Sequence, residues 1–63
     1  MFEDFIGKKI KIVARDGSKI IVWNCILINE SLEFLEIRTF DSRKAFIRIS
    51  TIDKLEMNEE DRF

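Results

Sequence analysis

Residues 20–28 read IIVWNCILI, a stretch with no charge in which Asn24 is the only strongly polar side chain. A strand with one face in water alternates apolar and polar residues, and this one does not. Two arrangements satisfy it. Either the strand bends so that both of its faces are covered, or one face is kept for a partner. The run is also about half of the ~20 apolar residues that a membrane-spanning helix needs. The first residues, MFEDFIG, are acidic and lack the apolar centre of a signal peptide. A soluble, cytoplasmic protein with no membrane association is therefore expected.

At 63 residues the chain is one domain at most. A domain this small buries roughly 60% of the surface its unfolded chain exposes, so its stability margin is thin. Small domains make up the shortfall with disulfides, a metal or oligomerisation. Cys25 is the only cysteine and there is no histidine, so an internal disulfide is impossible and the usual metal ligands are missing. Cys25 lies inside the apolar run and reads as a small buried hydrophobe. Homo-oligomerisation is what remains, and it is expected.

Along the chain the hydrophobic period changes. Phe2, Phe5 and Ile6 follow the i, i+3, i+4 spacing of a helical face, and Gly7 stands where a helix end favours positive φ. A helical turn that plugs one end of a sheet with three apolar side chains is expected. From Lys8 the period is two. Lys9, Lys11 and Arg15 share one face of a first strand, while Ile10, Ile12 and Ala14 share the other. Asp16 and Gly17 are a strong hairpin signal of the I′ type. A two-residue loop there sets Ile12 opposite Ile21, and a three-residue loop sets it opposite Val22. Both faces of the second strand are apolar, so the pattern does not choose. After a turn at residues 29–31, residues 32–40 form a third strand, a turn follows at 41–43, and residues 44–50 form a fourth. Pairing Ile37 with Ile47 and Leu35 with Ile49 matches both faces, with Glu36 against Arg48 and Arg38 against Phe46. A tight joint at Ser50 and Thr51 leads to a short fifth strand near residues 52–57. Residues 58–63 are a charged tail with little to bury, expected to be mobile.

Five short strands joined by hairpins predict a mainly β fold, a small antiparallel barrel occupying residues 1–57. Closing it demands one long bent strand, which places a bulge or kink near residues 22–25. The chain at this point resembles the Sm-like family of small SH3-like barrels. The resemblance rests on the N-terminal helical turn, the strand ending in Arg15, Asp16 and Gly17, the long second strand, the third strand, and Ile49, Ser50, Thr51 and Ile52 before the short fifth strand. It implies an SH3-like barrel, RNA as a ligand, and a ring in which the fourth strand of one subunit pairs with the fifth of the next. It also shows departures. Asn24 stands where the family has a kinking glycine, Glu33 or Phe34 where it has a base-binding asparagine, and Phe46 and Ile47 where its bacterial RNA chaperones have a Lys-His pair.

The residue inventory argues against catalysis. There is no His and no Tyr, the one Cys is embedded in apolar sequence, and no glycine-rich phosphate loop exists. No cofactor, metal site or catalytic residue is expected. The net charge of −1 is not the basic excess typical of nucleic-acid binders, yet cations cluster. Lys9, Lys11 and Arg15 share one strand face, and Arg43, Lys44 and Arg48 surround a turn. These six are the candidate nucleic-acid contacts, with exposed aromatics as stacking platforms. Trp23, Phe46, Ile52 and Leu55 are the candidate subunit interface. Two functions follow: a non-enzymatic oligomeric module that binds RNA, or the same barrel serving as a protein-interaction module.

Overall fold

The period-two patterning becomes strands nearly where it predicts them. In the computed structural model, which describes residues 1–58, these are β1 (Lys9–Asp16), β2 (Lys19–Glu30), β3 (Phe34–Thr39), β4 (Lys44–Arg48) and β5 (Ile52–Met57). All five lie in one antiparallel sheet with the order β4-β3-β2-β1-β5. Two 3₁₀ turns complete the chain, Glu3–Phe5 before β1 and Ile49–Thr51 between β4 and β5. The expected mobile tail falls mostly outside the described residues. Asn58 does not: its N–H donates to Lys9 O at 3.0 Å.

The sheet is not closed. β4 and β5 follow one another in the chain but occupy opposite edges, and no ladder joins them. The sheet nonetheless has to coil. A flat five-stranded sheet would hold its edges ~19 Å apart at about 4.8 Å per strand. The span from Arg48 to Ile52 reaches no more than ~14 Å. Coiling gives the concave face its core of Ile10, Ile12, Ala14, Cys25, Leu27, Leu35, Ile37 and Ile47, all buried. Phe2, Phe5, Trp23, Ala45, Ile49, Ile52 and Leu55 pack around it.

Several local expectations are corrected. The first turn is a 3₁₀ turn, with three residues per turn, so Phe2 and Phe5 align while Ile6 rotates away. Phe2 and Phe5 dock on the core and Ile6 is exposed. Gly7 has the expected positive φ, 83°. The first hairpin takes neither of the anticipated registers. Asp16 pairs with Lys19, so the loop is Gly17 and Ser18, and Ile12 stands opposite Trp23. Gly17 has φ 63° and Ser18 does not share a positive φ. That is the II′ pattern, which needs glycine only at the first loop position.

The second strand is also irregular at a different place. Its pairing with β3 shifts between Leu27 and Asn29, so Ile28 is the extra residue, and no shift occurs at 22–25. The bulge reverses the parity of the strand. Cys25 and Leu27 point into the core before it, and Glu30, opposite Leu35, points the same way after it. The Glu30 carboxylate accepts the Phe2 N–H at 2.8 Å, which ties the N-terminal turn to the sheet. Asn24, polar in an apolar run, is exposed on the convex side. Its side-chain oxygen accepts from Asn58 Nδ2 at 3.2 Å.

β3 and β4 pair with the expected faces but a register two residues away. Leu35 meets Ile47 and Ile37 meets Ala45, while Glu36 meets Phe46 and Arg38 meets Lys44. The loop is residues 40–42, closed by the Thr39 N–H donating to Arg43 O at 2.8 Å. Ser42 sits at φ 68°, as the last residue of a three-residue hairpin loop does. An L side chain in that region costs about 1–2 kcal/mol. Ser42→Gly is expected to raise the stability by roughly 0.5–1 kcal/mol once glycine's greater unfolded-state entropy is deducted. Urea denaturation checks it, and a lower midpoint would contradict the assignment.

Candidate nucleic-acid interface

The six candidate contacts divide by position. Strand alternation puts Lys9, Lys11, Val13 and Arg15 on the convex face of β1, since Ile10, Ile12 and Ala14 are in the core. The same alternation puts Lys44, Phe46 and Arg48 outward on β4. Opposed residues in adjacent antiparallel strands share a face. Lys9 opposes Ile26, Ile26 opposes Arg38, and Arg38 opposes Lys44. These four side chains therefore form one outward row across four strands. Lys11 and Asn24 stand in the next row. Arg43 instead flanks the β3–β4 loop, just before β4.

The ion pairs sort the cations further. Arg15 donates from Nε and an Nη to one Asp53 oxygen at 3.2 and 3.0 Å. A bulge enables this contact: β5 advances from Lys54 to Ile52 while β1 advances from Val13 to Ala14, leaving Asp53 extra and outward. Arg43 Nε lies 3.3 Å from Asp41 Oδ2. The Asp41 carboxyl is held below its ordinary range, first by the hydrogen bond from the Thr39 hydroxyl and then by Arg43. Lys44 Nζ is 3.5 Å from Glu36. Arg48 lies over the Phe34 ring, 5.2 Å from its centroid. Lys11 and Arg38 make no ion pair among the described residues. Exposed pairs of this kind are worth about 0–1 kcal/mol, so they leave their cations available to a polyanion.

Arg38 is the residue that strand-by-strand reading misses. Its sequence neighbours, Ile37 and Thr39, are not basic. Only the register places it between Lys9 and Lys44. The sheet also resolves the contradiction of an acidic chain with a basic patch. Lys9, Lys11, Arg15, Arg38, Lys44, Arg48 and Lys54 occupy outward strand positions, against Glu36, Glu56 and Asp53. The remaining described carboxylates lie at the first turn, hairpin tips and strand ends.

The candidate interface residues are placed as follows. Trp23, Ile52 and Leu55 lean partly buried against the chain's own core. Phe46 stands on the convex face with 62% of its surface exposed. Phe46, Phe34 and Glu36 border a cleft of about 50 Å³ with Asn29 and Ser31.

Cys25 is fully buried. Burial pushes its thiol up to about 11. The sign of the pH effect follows. The unfolded thiol, near 8.5, loses its proton first as pH rises, so this cysteine favours unfolding above about pH 9. The folded protein should resist iodoacetamide at neutral pH and become reactive only with denaturant. Rapid native-state alkylation would show that the site opens. No group of three His, Cys, Asp or Glu side chains comes together as a metal site among the described residues. No described helix is long and apolar enough to cross a membrane. No family model matches the chain, and neither a curated protein nor a solved structure shows significant similarity to it.

Proposed function

We propose that this chain is a non-enzymatic, Sm-like module that binds single-stranded RNA on the convex face of its sheet and works as a homo-oligomer. The observation that carries the reading is the outward row Lys9–Ile26–Arg38–Lys44, flanked by Lys11 and Asn24. A row of cations across a convex face suits a flexible phosphate backbone, and binding of this sort is sequence-tolerant. Phe46 supplies an exposed ring at the edge of that face. The neighbouring cleft is too small to enclose a base, so a base would stack on the ring. The resemblance to Sm-like barrels points the same way and implies a ring closed between β4 of one subunit and β5 of the next.

Fluorescence anisotropy with labelled oligo-U and oligo-A tests the proposal. Binding at low ionic strength that weakens steeply with added salt is the expected result. Undetectable or salt-independent binding to both would overturn it. The second reading, a protein-interaction module, rests on the exposure of Phe46. Base stacking is worth about 1–3 kcal/mol, so Phe46→Ala should lower oligonucleotide affinity roughly tenfold if the ring stacks on a base. An unchanged affinity would favour a protein contact.

A further inference from the structure

β3 pairs with β2 only from Cys25 onward. Among the described residues, 20–24 are thus hydrogen-bonded to β1 on one side and to no strand on the other. In a two-residue hairpin the closing pair, here Asp16 and Lys19, exchanges both backbone bonds. The backbone groups of Lys19, Ile21 and Trp23 therefore turn to β1, and those of Ile20 and Val22 turn to the open side. No turn or loop bond among the described residues reaches them. The side chains are exposed as well: Ile20 by 61%, Ile21 by 37% and Val22 by 51%.

The other two edges are defended. β5 carries the Asp53 bulge with Lys54 and Glu56, and β4 is five residues long with Lys44 and Arg48. Charges, bulges and short length are the means by which edge strands avoid pairing. Residues 20–24 carry neither a charge nor a bulge. We propose that this part of β2 is the contact surface for a second copy of the chain, the two strands pairing antiparallel about a two-fold axis at Ile21.

The charge pattern selects that occupant and that orientation. A parallel pairing would set Lys19 beside Lys19. The antiparallel one sets Ile20 against Val22 twice, Ile21 against itself, and Lys19 against Trp23, whose ring attracts a cation. The neutral stretch offers nothing to a partner recognised by charge and is complementary to itself. The contact uses neither the β4 nor the β5 edge, so it does not depend on the proposed ring or on RNA binding. Three side chains and a short backbone ladder per copy fall short of the ~1,200 Å² of a stable interface. The dimer should therefore be concentration-dependent.

Sedimentation velocity across a concentration series tests it. The wild-type mass should rise from one chain to two. Val22→Lys, a change at an exposed site, should stay monomeric where the wild type is dimeric, while Leu32→Lys should dimerise normally. Leu32 is 96% exposed and lies off this edge. Ile21→Cys gives a second readout that needs no lysine variant to fold. Opposed residues of a non-hydrogen-bonded pair have Cα atoms about 4.5 Å apart, within disulfide reach. Mild oxidation should cross-link Ile21→Cys to a covalent dimer faster than Leu32→Cys, with the buried Cys25 inert. A single-chain mass at every concentration would overturn the proposal. So would an association that Val22→Lys leaves intact together with equal cross-linking of the two cysteine variants.

Discussion

Ile37→Ala is expected to destabilise the domain by about 2–5 kcal/mol, the range for emptying a fully buried aliphatic site. Ile37 is completely inaccessible and lies on β3 between Leu27 of β2 and Ala45 of β4. None of these neighbours can collapse into the space without shifting a ladder. At roughly 0.05–0.15 kcal/mol per residue the whole domain holds only about 3–9 kcal/mol. The substitution therefore consumes a large fraction of it. For a domain this size 1 kcal/mol moves Tm by about 4–8 °C, so a fall of 10 °C or more should appear in a circular-dichroism melt. Leu32→Ala, at an exposed position, should leave Tm nearly unchanged. Equal effects from both substitutions would mean that the concave face is not the core.

Arg38→Glu is expected to lower oligonucleotide affinity by roughly tenfold or more at low ionic strength, with Tm little changed. Each phosphate contact on a single strand contributes about 0.7 to the slope of log affinity against log salt. Arg38→Gln removes one such contact, so its slope should be shallower by that amount. Arg38→Glu also places a negative charge between Lys9 and Lys44, which repels a phosphate. Arg43→Glu, at the end of the loop beside Asp41 and away from the row, should have a clearly smaller effect. If Arg43→Glu proved the more damaging, the binding face would lie around the loop rather than across the strands.

Much of the strand content was legible because it depends on local alternation. Ile10, Ile12 and Ala14 point one way and Lys9, Lys11 and Arg15 the other in any pairing. The faces of β3 and β4 were legible for the same reason, although their register was off by two residues. Register depends on which loop residue takes a left-handed conformation, and that is Ser42, a residue with no strong preference for it. The first hairpin shows the same limit. A glycine at position 17 serves either a I′ turn, as its second loop residue, or a II′ turn, as its first, and only the assembled sheet selects the latter.

The candidate site was legible only in part. Lys9 and Lys44 were visible as members of basic clusters. Arg38 was not, because its partners are separated from it by a strand in one direction and a hairpin in the other. Likewise the surplus apolar face of residues 20–28 was evident, but its distribution was not. The bulge falls at Ile28 instead of near Asn24, so Leu27 stays in the core and Glu30 turns inward to hold the first turn.

The alternating residues of β1, β3 and β4 alone determined a mainly β chain with a thin core and a second strand too apolar for one face, because side-chain direction in a strand has a period of two. Only the tertiary structure decided which residues of that strand lie open, which cations share a row, and that the sheet coils without closing. Those are properties of register and of edges, and both arise when distant segments pair.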